Sequence, residues 1–127
     1  NDADEIRRVM QTQPQKLSLN EFYLVARQYE PGTDEFSDVF ETTVRMYPLD
    51  PTANLNAANA AIRRGDMEKA QHYLNRADDS PEAVYTRGAL AIRMQDYDTA
   101  RRYLSEAKKA GLEQAAITLE QLEQGKK

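Results

Sequence analysis

Residues 50–104 read DPTANLNAANAAIRRGDMEKAQHYLNRADDSPEAVYTRGALAIRMQDYDTARRYL, and the stretch matches itself when it is moved by thirty residues. The matching positions are Pro51 and Pro81, Ala53 and Ala83, Ala61-Ile62-Arg63 and Ala91-Ile92-Arg93, Asp66 and Asp96, Ala70 and Ala100, Tyr73-Leu74 and Tyr103-Leu104, and Ala77 and Ala107. A period of this length is typical of stacked supersecondary repeats. The repeat predicts a binding scaffold without identifying what is bound.

Helix start and stop signals divide each copy of the repeat into two helices. Asp50 and Ser80 each precede a proline, and this pair of residues suits the N-cap and the first helical position. Asp66 and Asp96 are placed to cap the second helix of each copy. The small residues Ala57, Ala58 and Ala61 are expected on the buried face of the first helix. These signals predict helix pairs over residues 51–77 and 81–109.

Further helices are predicted on both sides of the repeat. Ser18 and Glu21 form a capping-box pattern, and Thr33 is placed to cap the next helix after Pro31-Gly32. They predict a helix pair over 18–46. Residues 112–124 form a closing amphipathic helix, and residues 1–16 are a lead-in segment that can form a short helix.

The predicted fold is all-α, with no segment that alternates as a half-buried strand does. Two to four residues join the partners, so neighbouring helices should be antiparallel. The predicted architecture is an antiparallel helix-pair solenoid of three pairs and a C-terminal capping helix, which together form one domain over residues 17–124.

Several small, turn and leucine positions in the two repeats resemble the characteristic positions of tetratricopeptide (TPR) repeats. One copy has Ala58, Gly65-Asp66-Met67, Ala70, Leu74 and Ala77, and the other has Gly88, Gln95-Asp96-Tyr97, Ala100, Leu104 and Ala107. The chain departs from the family in its period, which is thirty residues against about 34. Arg87 stands where the family has leucine, so the register of the first helices stays open. The pair over 18–46 is degenerate.

A narrower resemblance lies in residues 36–66, FSDVFETTVRMYPLDPTANLNAANAAIRRGD. They are similar to the TPR region that ends certain outer-membrane proteins of Bacteroidales with an OmpA-like domain upstream. The resemblance implies the C-terminal part of a larger cell-envelope protein, facing the periplasm or the surface. Because the chain begins with Asn1, we expect a fragment of a longer protein. The composition does not decide the compartment, and the cytoplasm stays open.

Charge and composition exclude several classes of function. The 127 residues carry a net charge of −4 and a pI near 5.1, which argues against nucleic-acid binding. There is no cysteine for thiolate chemistry, and no apolar run is long enough for a membrane span. The lone His72 is expected to be a solvated side chain. No catalytic, cofactor or metal site is predicted, and the protein is not expected to be an enzyme.

The resemblance implies that first helices line a concave face. The candidate partner-binding residues on that face are Tyr23, Asn56, Asn59, Arg63, Tyr85, Thr86 and Arg93. Amides and guanidinium groups can hold a peptide backbone or a carboxylate. Asn59 matches one asparagine of the family's carboxylate clamp, but Leu55 stands at the lysine position, so that clamp is incomplete. The alternative is that Asn56 and Asn59 hydrogen-bond within the array.

Two functions follow from this sequence. The first is a protein-interaction module that binds a peptide or protein segment of unknown identity on the concave face. The alternative is a structural or assembly spacer that packs on its own chain or self-associates, for which the motivation is the apolar closing helix with Leu112, Leu119 and Leu122.

Overall fold

The computed structural model describes residues 2–125 of the chain. The helices are α1 (Asp2–Thr12), α2 (Leu19–Ala26), α3 (Asp34–Met46), α4 (Pro51–Arg64), α5 (Met67–Leu74), α6 (Pro81–Arg93), α7 (Tyr97–Lys109) and α8 (Glu113–Gln124), with a short 3-10 turn at Pro14–Lys16. Within residues 2–125 there is no β-strand. The all-α class is therefore confirmed.

The predicted caps are present at the starts of the helices. Ser18 accepts the amide of Glu21 at 3.2 Å, and the Glu21 carboxylate accepts the amide of Ser18 at 2.8 Å. Asp50 accepts the amide of Ala53 at 2.8 Å. Thr33, Asp66, Ser80 and Asp96 each accept the amide three residues further on. These contacts satisfy amides that the first helical turn leaves unpaired.

Successive helices pack against each other along the chain. Contacts join α1 to α2, α2 to α3, α3 to α4, α4 to α5, α5 to α6, α6 to α7 and α7 to α8, and α4 also packs on α6. The lead-in segment is part of this packing, because Met10 is buried and Ile6 and Val9 lie against the first core cluster.

Small residues allow close packing between paired helices. Ala58, Ala70 and Ala100 have no exposed surface. A Cβ atom on Gly88 would lie 3.0 Å from Leu104 Cγ and 3.1 Å from Leu104 Cδ2. The packing of Leu104 against α6 therefore fits a glycine at position 88 and would be crowded by an alanine.

Two helices end earlier than the sequence predicts. α5 ends at Leu74, so the predicted helix to Ala77 is wrong by about one turn. Asp78 and Asp79 follow it, and acidic residues are unfavourable at the negative end of a helix. α2 ends at Ala26, although the spacing of Phe22, Val25, Ala26 and Tyr29 predicts one apolar stripe on a longer helix.

Candidate interaction surfaces

Hydrogen bonds join every second helix along the chain, from α2 to the start of α4, from α4 to α6 and from α6 to α8. The Tyr23 hydroxyl on α2 donates to the carboxylate of Asp50, which caps α4. The Thr86 hydroxyl on α6 lies 3.1 Å from Asn59 Oδ1 on α4. Tyr85 on α6 lies 3.0 Å from the Thr118 hydroxyl on α8. We call the surface that carries α2, α4, α6 and α8 the first-helix face.

Several predicted binding residues therefore make contacts between helices. Thr86 is 3% exposed, and its hydroxyl also lies 3.0 Å from the Glu82 carbonyl. It is buried in the contact between α4 and α6, so little of its surface is open to a partner, and its role in binding stays a prediction. Asn59 is exposed, but its amide oxygen is used within the fold, as the alternative interpretation of this residue expects.

The remaining predicted residues lie apart from one another. Asn56 donates to the Thr52 carbonyl in its own helix at 3.0 Å. Arg63 turns towards the start of α3, where it donates to the Thr33 carbonyl at 3.1 Å and to the Ser37 hydroxyl. Arg93 is exposed at the end of α6 and makes no ion pair with any residue in 2–125. Among the seven residues, a hydrogen bond joins Asn59 to Thr86, and the bonds described for Asn56 and Arg63 go to other residues.

An aromatic groove of about 400 Å³ opens where α2, α3 and the start of α4 meet. Its lining residues are Tyr23, Ala26, Arg27, Tyr29, Pro31, Phe36, Phe40 and Thr52. The rings are held by one another, with centroids of Phe36 and Phe40 4.9 Å apart and those of Tyr23 and Phe40 6.0 Å apart. A groove of this size and chemistry can receive an apolar side chain.

Two tyrosine hydroxyls at this aromatic groove have hydrogen-bond partners, whereas the arginine at its rim has no ion-pair partner within residues 2–125. Burial, followed by the hydrogen bond to Asp50, raises the pKa of Tyr23 well above its ordinary value, so its hydroxyl stays protonated. Arg7 donates to the Tyr29 hydroxyl at 3.1 Å, and this contact raises the pKa of the Arg7 guanidinium. Arg27 is exposed at the rim and has no ion-pair partner in the described part of the chain.

Tyr23 is predicted from the sequence, but the groove around it is not. The four-residue spacing of Phe36 and Phe40 predicts a buried stripe of α3 rather than the wall of a groove, and Arg27 is not among the predicted binding residues. The spacing of Tyr23 and Arg27 by four residues places them on the same side of α2. That spacing is the local signal that could have added Arg27 to the candidate residues.

Other kinds of site find no support in the described residues. His72 is exposed and packs at 5.9 Å between ring centroids against Tyr73. No three His, Asp or Glu side chains in residues 2–125 are grouped so that they could hold a metal ion. In the same part of the chain, every helix is too short or too polar to cross a membrane.

Comparison of the chain with protein-family models found no match, and comparison with curated proteins found none either.

Proposed function

We propose that this protein is a non-catalytic interaction module, a TPR-like array of three helix pairs and a closing helix that binds a peptide or protein segment on its first-helix face. The pairs are α2 with α3, α4 with α5 and α6 with α7. Two features support the array: α4 packs on α6, and the hydrogen bonds of Tyr23, Asn59 and Tyr85 link successive first helices.

The aromatic groove is the observation that carries the binding proposal. Aromatic and arginine side chains are enriched among residues that dominate binding energy at interfaces. Here Tyr23, Tyr29, Phe36 and Phe40 surround a space of about 400 Å³, and Arg27 stands at its rim. Since the rings already pack against their neighbours, little conformational entropy would be lost when a ligand binds.

The chemistry of the groove favours a particular kind of segment. An aromatic or branched apolar side chain would fill the space between the rings. A carboxylate next to that side chain would meet Arg27, which can form a bidentate hydrogen-bonded pair with it. The proposed ligand is therefore a peptide in which an apolar residue is followed by an acidic residue or by the chain terminus.

The location of the module is a proposal from resemblance alone. The similarity of residues 36–66 to the TPR region of Bacteroidales outer-membrane proteins supports a place in the periplasm or at the cell envelope, within a larger protein. A segment of another envelope protein would then be the natural partner.

Fluorescence anisotropy with a labelled, capped peptide that contains phenylalanine followed by aspartate tests this proposal. We expect saturable binding that Arg27→Glu weakens about tenfold, because one favourable charge pair is replaced by a repulsion. The matched control is Arg8→Glu, since Arg8 is an exposed arginine on α1 outside the groove. Circular dichroism of both variants should match that of the unmodified protein.

A peptide with lysine in place of aspartate separates specific from general binding. It should bind more weakly than the aspartate peptide. Absence of saturable binding by the aspartate peptide, or equal losses from Arg27→Glu and Arg8→Glu, would show that the aromatic groove is not a binding site.

One observation favours self-association as a second candidate function. Ile117 on α8 is 43% exposed, and it borders a surface groove together with Ala116, Leu119, Lys108 and Glu120. Leu119 and Leu122 are partly buried against the third core cluster. Sedimentation velocity should show a dimer that Ile117→Ser converts to monomer. A monomer at high protein concentration would remove this candidate.

A further inference from the structure

A second groove lies away from the aromatic groove, between α5 and α7 with α6 as its floor. It encloses about 680 Å³, within the range of roughly 300–1,000 Å³ that ligand pockets usually occupy. Leu74 and Val84 lie deep in it, Tyr103 is half-buried on the α7 wall, and Met94 is 57% exposed at one end. We call this space the α5–α7 groove.

The shortness of α5 leaves this space open. α5 has eight residues whereas α7 has thirteen. After Leu74 the α-helix ends in a turn in which the amides of Arg76 and Ala77 donate to the carbonyls three residues back, and Pro81 starts the next helix six residues after Asn75. The wall that a further helical turn of α5 would supply is replaced by an irregular segment with Asp79 at the groove.

The charges on the groove walls are mostly negative. Asp79 and Glu106 lie towards the start of α6, and Asp96 lies towards its end. Arg87 is the basic residue among the lining residues, and its charge is offset by Asp79 at 3.3 Å. The Glu106 carboxylate makes no ion pair within residues 2–125. Positive charge on a ligand would therefore be stabilised at both ends of the groove.

Arg87 belongs to the wall and is already satisfied there. It donates to the Leu74 carbonyl at 3.1 Å, at the end of α5, where that carbonyl also accepts the Ala77 amide at 3.2 Å. This contact holds the guanidinium against the groove floor, so Arg87 is not available as a mobile anion receptor. The groove consequently favours cations.

We propose that the α5–α7 groove binds an extended peptide segment that carries two basic side chains with apolar side chains between them. The stripe of α6 from Val84 to Met94 spans about 15 Å at 1.5 Å per residue. An extended chain covers that distance in about four or five residues. The basic side chains would meet Glu106 at one end and Asp96 at the other, and the apolar side chains would cover Met94 and Tyr103.

This proposal concerns a different surface from the first-helix face and does not depend on the function proposed there. The Arg27→Glu variant, which alters the aromatic groove, should bind the basic peptide normally. If the peptide for one groove does not bind, the proposal for the other groove is therefore unaffected.

The test uses a short capped peptide that alternates lysine with leucine and carries a fluorescent label. We expect saturable binding that Glu106→Lys weakens about tenfold, because an attraction becomes a repulsion. Met94→Ser should weaken it a few-fold by removing apolar surface. Glu5→Lys is the matched control, because Glu5 is exposed on α1 and changes the net charge equally.

Each result of this experiment decides the proposal. A peptide with glutamate in place of lysine should not bind, and a peptide with serine in place of leucine should bind more weakly. No saturable binding of the lysine peptide, or an equal effect of Glu106→Lys and Glu5→Lys, would overturn the proposal. A dimer of the protein that Glu106→Lys dissociates would also overturn it, because a second copy would then occupy the groove.

Discussion

The two thirty-residue repeats share the positions of their helix caps and their core leucines. They differ in the residue at the contact between their two helices and in the turn that joins those helices. In the α4–α5 pair, Ala58 meets a short second helix, and Gly65 supplies the left-handed turn with a φ of 83°. In the α6–α7 pair, Leu104 leaves no room for a Cβ atom at Gly88, and Gln95 occupies the equivalent turn with a φ of 62°. The second pair therefore has a glycine at its closest contact and a non-glycine residue in the left-handed conformation at its turn.

The residues after the core leucine explain the difference in length. Asp78 and Asp79 follow α5, whereas Lys108 and Lys109 stand at the equivalent positions in the last turn of α7. Basic residues are favourable and acidic residues unfavourable at a helix C-terminus. Two repeats with the same start thus differ at their ends, and that difference opens the α5–α7 groove beside the shorter helix.

The largest expected difference lies in the paired core leucines. Leu74 and Leu104 have no exposed surface, and Leu-to-Ala changes at such sites cost about 2–5 kcal/mol. We expect Leu104→Ala to cost more than Leu74→Ala, because the cavity beside Leu74 borders an open groove that can relax. Urea unfolding of both variants measures this difference. Equal losses, or a greater loss for Leu74→Ala, would contradict the difference in packing.

The contact at Gly88 should produce the next largest effect. Gly88→Ala gains helix propensity, but its Cβ would crowd Leu104 Cγ at 3.0 Å, and overpacking costs about 1–3 kcal/mol. We expect a net loss of roughly 1 kcal/mol in the free energy of unfolding, measured by urea denaturation.

A double-mutant cycle identifies the cause of that loss. In a Leu104→Ala background, Gly88→Ala should be neutral or stabilising, because the crowded atoms are gone. A loss of the same size in both backgrounds would mean that contact with Leu104 is not the reason.

The turn residues provide a smaller, opposite pair of effects. Gln95 lies in the left-handed region that costs a non-glycine residue about 1 kcal/mol. Gln95→Gly should raise the free energy of unfolding by about that amount, and Gly65→Gln should lower it similarly. Thermal unfolding of the two variants would show shifts of opposite sign. Shifts of the same sign would rule out turn strain as their common cause.

The smallest effect concerns the junctions between pairs and depends on pH. Burial and the bond to Asp50 hold the pKa of Tyr23 above its unfolded value near 10. The folded state therefore retains the proton, and the stabilisation is complete below about pH 10 and is lost as the pH rises further. The Asn59–Thr86 junction has no titrating group.

Alkaline stability curves should reveal this difference between the junctions. Between about pH 9 and pH 11, the unmodified protein should lose stability more steeply than Tyr23→Phe does. Thr86→Val should leave the slope of the unmodified protein unchanged. Identical slopes in the unmodified protein and Tyr23→Phe would contradict the role of the Tyr23 proton.

Local chemistry explains how much of the fold is predictable. Ser18 with Glu21, and Asp50 with Pro51, act over three residues, so their spacing predicts helix starts that the structure confirms. The same capping signals recur thirty residues apart, so the repeat predicts that α6 and α7 begin as α4 and α5 do. The early end of α5 also has a local signal in Asp78 and Asp79, but the match of Ala77 to Ala107 obscures it.

The surfaces depend on contacts that spacing does not encode. Arg63 and Arg93 occupy equivalent positions, yet Arg63 turns to Ser37 on α3 and Arg93 remains in solvent. Whether an arginine meets a neighbour depends on a residue some 26 positions away. The aromatic groove likewise needs Phe36 and Phe40 of one helix to reach Tyr23 of another, which a single-helix pattern cannot show.

The existence of two separate binding surfaces is tested most directly by NMR titration of ¹⁵N-labelled protein. The titration uses the phenylalanine–aspartate peptide and the lysine–leucine peptide, first singly and then together. The first peptide should shift amide signals around Tyr23, Arg27 and Phe36, and the second should shift those around Met94 and Glu106. Saturating one site should leave the affinity of the other unchanged. Competition between the peptides, or a single shared set of shifted signals, would contradict the assignment of two surfaces.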